Sequence, residues 1–395
     1  MSAAESAERR ARVTLSFLAD PGDAVLGAAL RSRSAAEVLA LITGTGDAGD
    51  LLLAADPQTE ALGRAAAKWR RRLSLVPTVA RVAAWEDSGL RLVLPDDPEW
   101  PSQLDDLGDT RPLLLWVQGA VDLRYACLQS VSIVGARAAT AYGLRVGLQL
   151  AAALAERGIT VVSGGAFGID ANAHRGALAA DGLTVAVLAG GLSYGYPRGH
   201  AGLFAAIAAQ GILVSECPPD QPPTRPGFLI RNRIIAGLGR GTVVVEAALR
   251  SGALNTARHA RELCRPVMAM PGPVTSEQSA GCHELIREYG AMCVTDARDV
   301  LEHLIPSAGG AAAGPRRGPA VELDRLEPVA RSVLEQVPAR GGRGSAGVAV
   351  RAGVDLDTAV RELGLLAAAG FVRRCDQGWQ AVRLRGPGSV RRERT

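Results

Sequence analysis

The sequence predicts an α/β protein built on a doubly wound, mainly parallel β-sheet, with a small helical block before it and a helical module after it. Three observations carry this prediction. Between Val131 and about Leu304, seven short apolar runs alternate with segments of helical length. Those runs are continuously apolar rather than alternating, as in strands covered on both faces. The right-handed crossover rule then winds helices onto both faces of one sheet, in a Rossmann-like arrangement.

The elements follow in order. Over residues 1–90, apolar residues recur at helical spacing from Val13 on, and Ala35 to Ile42 and Gln58 to Leu73 read as short helices. A Pro- and Asp-rich stretch, Pro95 to Pro101, precedes a predicted strand at Pro112 to Val117. The sheet domain spans residues 95–305. Its strand cores are Val131–Val134, Thr160–Val162, Thr184–Leu188, Ile212–Ser215, Thr242–Glu246, Val267–Met270 and Ala291–Val294. Tyr142 to Arg157 and Ala253 to Cys264 are among the intervening helices. Residues 306–320 are Gly/Ala/Pro-rich and read as a linker. Residues 321–384 hold predicted helices at Leu326–Val337, Ala346–Ala352 and Asp357–Ala369, then a hairpin around Asp376-Gln377-Gly378. Three helices plus a hairpin is the order of a winged helix. Residues 385–395 read as a disordered basic tail.

Composition narrows the function class. The chain has 395 residues, 48% apolar and 21% charged, which excludes wholesale disorder and a collagen-like repeat. Six scattered cysteines form no CxxC pair, so neither a disulfide framework nor a zinc module is expected. Met1 to Val13 carries five charged residues and no apolar core, unlike a secretory signal. Gly199 to Ser215 is interrupted by three glycines and a glutamine, unlike a membrane span. These features predict a cytoplasmic protein without a membrane partner. Of 44 positive side chains only Lys68 is a lysine, and the net charge is +4. That value hides −4 over residues 1–124, +2 over 125–305 and +6 over 306–395.

In an open parallel sheet, ligands bind beyond the carboxyl ends of the strands. Four segments converge there: Gly135-Ala136-Arg137 followed by Thr140 and Tyr142-Gly143; Ser163-Gly164-Gly165 through Asp170, with His174; Gly190-Gly191 with Tyr194 and Arg198; and Arg225 through Arg233. Glycine turns at helix starts leave N–H groups free for phosphate oxygens, and arginines add bidentate contacts. Phe228 beside Arg225 offers a base-stacking platform. The edge therefore suits a polyphosphate or a nucleic-acid backbone. Alternatively, Arg231 and Arg233 could pair with Asp170 or Glu246, and His174 could be structural. No metal-ligand spacing, Walker A loop, GxSxG elbow or catalytic triad is present, so no catalytic residue, metal or cofactor is expected.

Read together, these segments resemble the DNA-processing protein A (DprA/Smf) family. The matching text includes Val134-Gly135-Ala136-Arg137, Ser163-Gly164-Gly165-Ala166-Phe167-Gly168-Ile169-Asp170, Tyr196-Pro197, Ser215-Glu216, Arg231-Asn232-Arg233 and Ser251-Gly252-Ala253-Leu254-Asn255-Thr256-Ala257. The resemblance covers about residues 95–305. It implies a non-enzymatic protein that binds and protects single-stranded DNA and loads the RecA recombinase onto it in natural transformation. It also implies a homodimer formed through the Rossmann-like domain, a SAM-like N-terminal domain and a C-terminal winged helix. Carried over by position, Gly135, Arg137, Ser163, Gly164, Gly165, Arg225, Phe228, Arg231, Asn232 and Arg233 would bind the DNA. The chain departs from the family pattern at Ala136, Gly165, Leu229-Ile230 and His200. Two other readings compete: a nucleotide phosphoribohydrolase of the lysine-decarboxylase-like (LOG) group, using Glu246 after Gly239-Arg240-Gly241-Thr242, and a winged-helix regulator of duplex DNA.

Overall fold

A computed structural model describes residues 3–44, 57–304 and 326–382. The expected linker and basic tail lie outside the described residues. The chain divides into two units, Met1–Ala308 and Gly309–Thr395.

The first unit is organised around a nine-stranded sheet. Its strands are β1 (Arg91–Val93), β2 (Leu115–Gln118), β3 (Ser130–Val134), β4 (Thr160–Ser163), β5 (Thr184–Val187), β6 (Ile212–Ser215), β7 (Thr242–Val244), β8 (Val267–Ala269) and β9 (Met292–Cys293). Their spatial order is β1-β2-β6-β5-β4-β3-β7-β8-β9. Strands β3 to β9 are all parallel, as the continuous apolar runs predict. The antiparallel pair β1–β2 extends one edge. β1 was not expected from the sequence; three residues are too few to show a strand period.

The sheet is buried on both faces, and alternate residues of each strand serve opposite cores. Val131 and Ile133 pack with Leu150, Leu154 and Ile169 on one face. Val134, Val162 and Val244 pack with Ile234, Ile235 and Ala257 on the other. Burying each of these Val, Leu and Ile side chains contributes about 1.5–3 kcal/mol. Serines inside the strands spend their hydroxyls on backbone carbonyls. Ser130 and Ser132 donate to Leu238 and Ile235 at 2.8 and 2.7 Å, which pins the carboxyl end of helix Arg225–Leu238 to β3.

The N-terminal helices pack on the β1–β2 edge. Phe17 stacks on Trp85, which meets Trp116 of β2 edge-on at 5.7 Å. Arg9 donates to Leu92 O at 2.6 Å, covering a carbonyl of edge strand β1. Among the described residues, no helix is long and apolar enough to cross a membrane.

The second unit contains helices Pro328–Glu335, Ser345–Ala352 and Leu356–Ala368, then a hairpin of β10 (Val372–Cys375) and β11 (Gly378–Ala381). Val333, Val348, Leu363 and Phe371 form its core.

Candidate functional site

The strand order locates the site. The chain builds β3 to β6 outward to one side, then crosses back to place β7 on the other side of β3. The loops after β3 and β7 therefore diverge and open a crevice at the switch of winding direction. A cleft of about 290 Å³ lies there. It is lined by Gly135 to Ala138 after β3, by Ser251 and Gly252 after β7, and by Phe228, Arg231 and Asn232 from helix Arg225–Leu238. Those three helix residues are at i, i+3 and i+4 and so share one face.

The loop after β3 is held by Glu246. Thr140 donates to its carboxylate through both N–H (2.9 Å) and Oγ (2.6 Å), and Ala136 N–H donates to its carbonyl at 2.7 Å. The carboxylate sits at the start of helix Ala141–Ala155, where the helix dipole favours an anion. Gly143 makes room for it, since a Cβ there would lie 2.2 Å from Glu246 Oε2. Both oxygens are committed to this anchoring, against the free catalytic carboxylate that the hydrolase reading requires.

Beneath the cleft, buried Asp170 accepts from Gly164 N–H (3.2 Å) and Ala166 N–H (3.4 Å). Buried Arg231 donates through Nη1 to Gly164 O at 2.7 Å and to Val187 O. Burial pushes the Asp170 carboxyl up, while Arg231 and the two N–H groups draw it back. Burial brings the Arg231 guanidinium down to about 10, so it stays charged at neutral pH. A Cβ at Gly164 would lie 2.6 Å from Arg231 Nη1 and 2.7 Å from Asp170 Oδ2; only glycine admits both groups.

At the mouth, exposed Arg137 holds its guanidinium 4.8 Å from the centre of the Phe228 ring. Phe228 also meets Tyr196 at 5.8 Å. Arg225 is exposed at the first position of its helix, capped by Thr224. A cation at a helix start opposes the dipole, and a bound anion would offset that cost.

Of the expected site residues, the structure brings Gly135, Arg137, Phe228, Arg231 and Asn232 together in the cleft. It does not bring the rest. Ser163 is buried and donates to Ile133 O at 2.6 Å. Gly164 is buried behind the cleft, and Gly165 packs against Phe204. Arg225 stands outside the lining. Arg233 is on the other side of its helix. Its Nη2 donates to both Glu216 oxygens at 2.8 Å, and its Nε donates to Thr110 O at 2.8 Å. Glu216 in turn accepts from Gly22 N–H at 3.2 Å, which ties the helix to the N-terminal block. The partner of Arg233 is thus Glu216, neither Asp170 nor Glu246.

His174 is structural. Thr184 Oγ1 donates its proton to Val161 O, so it accepts from His174 Nδ1–H at 2.7 Å. Burial, with Arg231 nearby, brings this imidazole down to about 3. Sequence reasoning missed Ser251 and Gln278 as lining residues. Ser251 had a readable signal, a helix-capping serine just after a strand. Among the described residues, no group of three or more His, Cys, Asp or Glu side chains could hold a metal ion.

Comparison with known proteins matches the sheet domain as a whole. The profile of the family described as DNA recombination-mediator protein A matches residues 91–305. A Mycobacterium tuberculosis relative is 45% identical over 306 residues, spanning 75% of this chain and 78% of its own length. Protein Smf of Escherichia coli is 45% identical over 222 residues, 56% of this chain and 58% of that protein. The X-ray structure of DNA processing protein A from Streptococcus pneumoniae superposes with a TM-score of 0.55 at 34% identity, covering 67% of this chain and 92% of that one.

Proposed function

Because the chain belongs to the DNA recombination-mediator protein A (DprA/Smf) family, we propose that it binds single-stranded DNA in the cleft at the carboxyl edge of its sheet. In this reading it protects incoming strands and loads RecA onto them in natural transformation, without catalysing a reaction of its own. The observation that carries the reading is the pairing of exposed Arg137 with Phe228 at the mouth of a cleft floored by buried, charged Arg231. Arg137 would hold phosphate, and Phe228 would stack on a base. Gly135 and Asn232 would shape the contact, with Arg225 steering phosphate from the rim.

The other parts follow the family. The N-terminal helices would be a SAM-like domain, residues 321–384 a winged helix, and the protein a cytoplasmic homodimer joined through its Rossmann-like domain. Helix Leu356–Ala368 carries Asp357, Arg361 and Glu362, and Arg361 is paired with Glu362 at 3.2 Å. Such a helix fits contact with a protein surface better than reading of duplex DNA. The test is RecA-driven strand exchange on single strands precoated with single-strand-binding protein. The reading predicts faster exchange when this protein is added; no stimulation would refute the mediator role.

A further inference from the structure

Aromatic side chains are few in this chain, 4% of its residues, and ten of the fifteen are buried or half-buried. Among the described residues five are markedly exposed: Tyr125, Phe167, Tyr194, Tyr196 and Tyr289. Three of these five lie on two neighbouring loops, after β4 and after β5, at the same sheet edge as the cleft. Phe167 is 51% exposed, Tyr194 37% and Tyr196 44%.

These rings are exposed but held in place. Phe167 stands edge-on to His200, with centroids 4.4 Å apart. His200 is itself buried and fixed through Nδ1 to Gly165 O at 3.0 Å. Arg198 lies over Tyr194 at 5.8 Å. Tyr196 touches Phe228, so the patch is continuous with the cleft. Residues 182–215 contain no acidic side chain, whereas Arg198 and the neighbouring Arg137 supply positive charge.

We propose that Phe167, Tyr194 and Tyr196 form a second base-stacking platform, which takes unpaired bases of the strand next to those in the cleft. This inference rests on the cleft binding single-stranded DNA. Seated rings lose little entropy on binding, and every base offers a π-face, so the platform would extend the site without adding sequence preference.

The test uses fluorescent oligothymidylates of about 4 and about 16 nucleotides, the range of site sizes on single-strand-binding folds, with the full-length protein. The Phe167→Ala/Tyr194→Ala protein should bind the long strand about tenfold or more weakly and the short strand as wild type does. The aromatic exchange Phe167→Tyr/Tyr194→Phe should restore long-strand affinity. Abasic residues placed throughout the long strand should weaken wild type by a larger factor than the alanine variant, which keeps only the stacking on Phe228; an equal factor in both would overturn the platform. Equal affinity for both lengths in wild type and variant, or an equal loss at both lengths, would overturn the platform. The Arg137→Ala protein separates the two claims: it should lose affinity at both lengths, and unchanged binding would refute the cleft instead.

Discussion

Replacing Arg233 with alanine should destabilise the protein and leave its affinity for DNA intact. Only about 5% of the Arg233 side chain and 8% of Glu216 are exposed, and the guanidinium meets both carboxylate oxygens at 2.8 Å. Removing it leaves a buried carboxylate facing one N–H, from Gly22. It also leaves Thr110 O without its 2.8 Å donor. Breaking such a buried pair costs about 3–5 kcal/mol, because the remaining charge is uncompensated. In a unit of this size that corresponds to a fall in melting temperature on the order of 5–10 °C. Thermal or urea unfolding would measure the loss, and fluorescence anisotropy with a labelled oligonucleotide, well below the melting temperature, would measure binding. Replacing both partners, as in Arg233→Met/Glu216→Gln, should recover much of the stability. A variant as stable as wild type that had lost tenfold or more in DNA affinity would refute this placement of Arg233.

Three further outcomes are expected. His174 remains neutral in the fold down to about pH 3, whereas the unfolded chain takes up a proton near the ordinary value of 6.5. The unfolded state therefore binds more protons in that window, and stability falls as pH is lowered through it, by about 2 kcal/mol from pH 6.5 to 5. Urea unfolding at both pH values should show this slope reduced in His174→Gln; an identical slope would contradict it, and the difference between the proteins removes the opposing effect of Asp170. Gly164→Ala should push Arg231 from Asp170, lowering stability by about 1–3 kcal/mol and weakening DNA binding; thermal unfolding and binding both unchanged would contradict the tight approach seen there. Affinity for single strands should fall with salt, with a log–log slope about 0.7 smaller in magnitude for Arg137→Ala; an equal slope would mean that Arg137 neutralises no phosphate.

The sheet was largely legible from the sequence because its strands announce themselves as short apolar runs. Ile212–Ser215 was predicted with the bounds it has, and the other parallel strands differ by a few residues at their ends. The strand order was not legible. It depends on Ser132 pairing with Thr242 across the sheet, a contact with no local signature. The glycine-rich text therefore indicated an edge of the sheet, and only the β3–β7 pairing fixed the crevice. Arg233 was readable and was misassigned: it lies two positions from Arg231, and residues at i and i+2 on a helix do not face the same side. Phe228, Arg231 and Asn232 obey that rule. Ser163 misled for a different reason. A hydroxyl at the end of a buried strand has a carbonyl of the neighbouring strand within reach, and here that carbonyl is Ile133 O. Phe167 gave no signal, since exposure of an aromatic ring is decided by the packing of loops far apart in sequence.

The most direct measurement is the equilibrium affinity of the full-length protein for a single-stranded oligonucleotide, compared at one salt concentration among wild type, Arg137→Ala, Phe228→Ala and the double variant. If the cleft at the β3–β7 switch is where the strand binds, each single change weakens binding about tenfold, and the pair weakens it at least as much but not as the simple product, since the two side chains touch, with melting temperatures unchanged. Four proteins binding within twofold of one another would contradict the account.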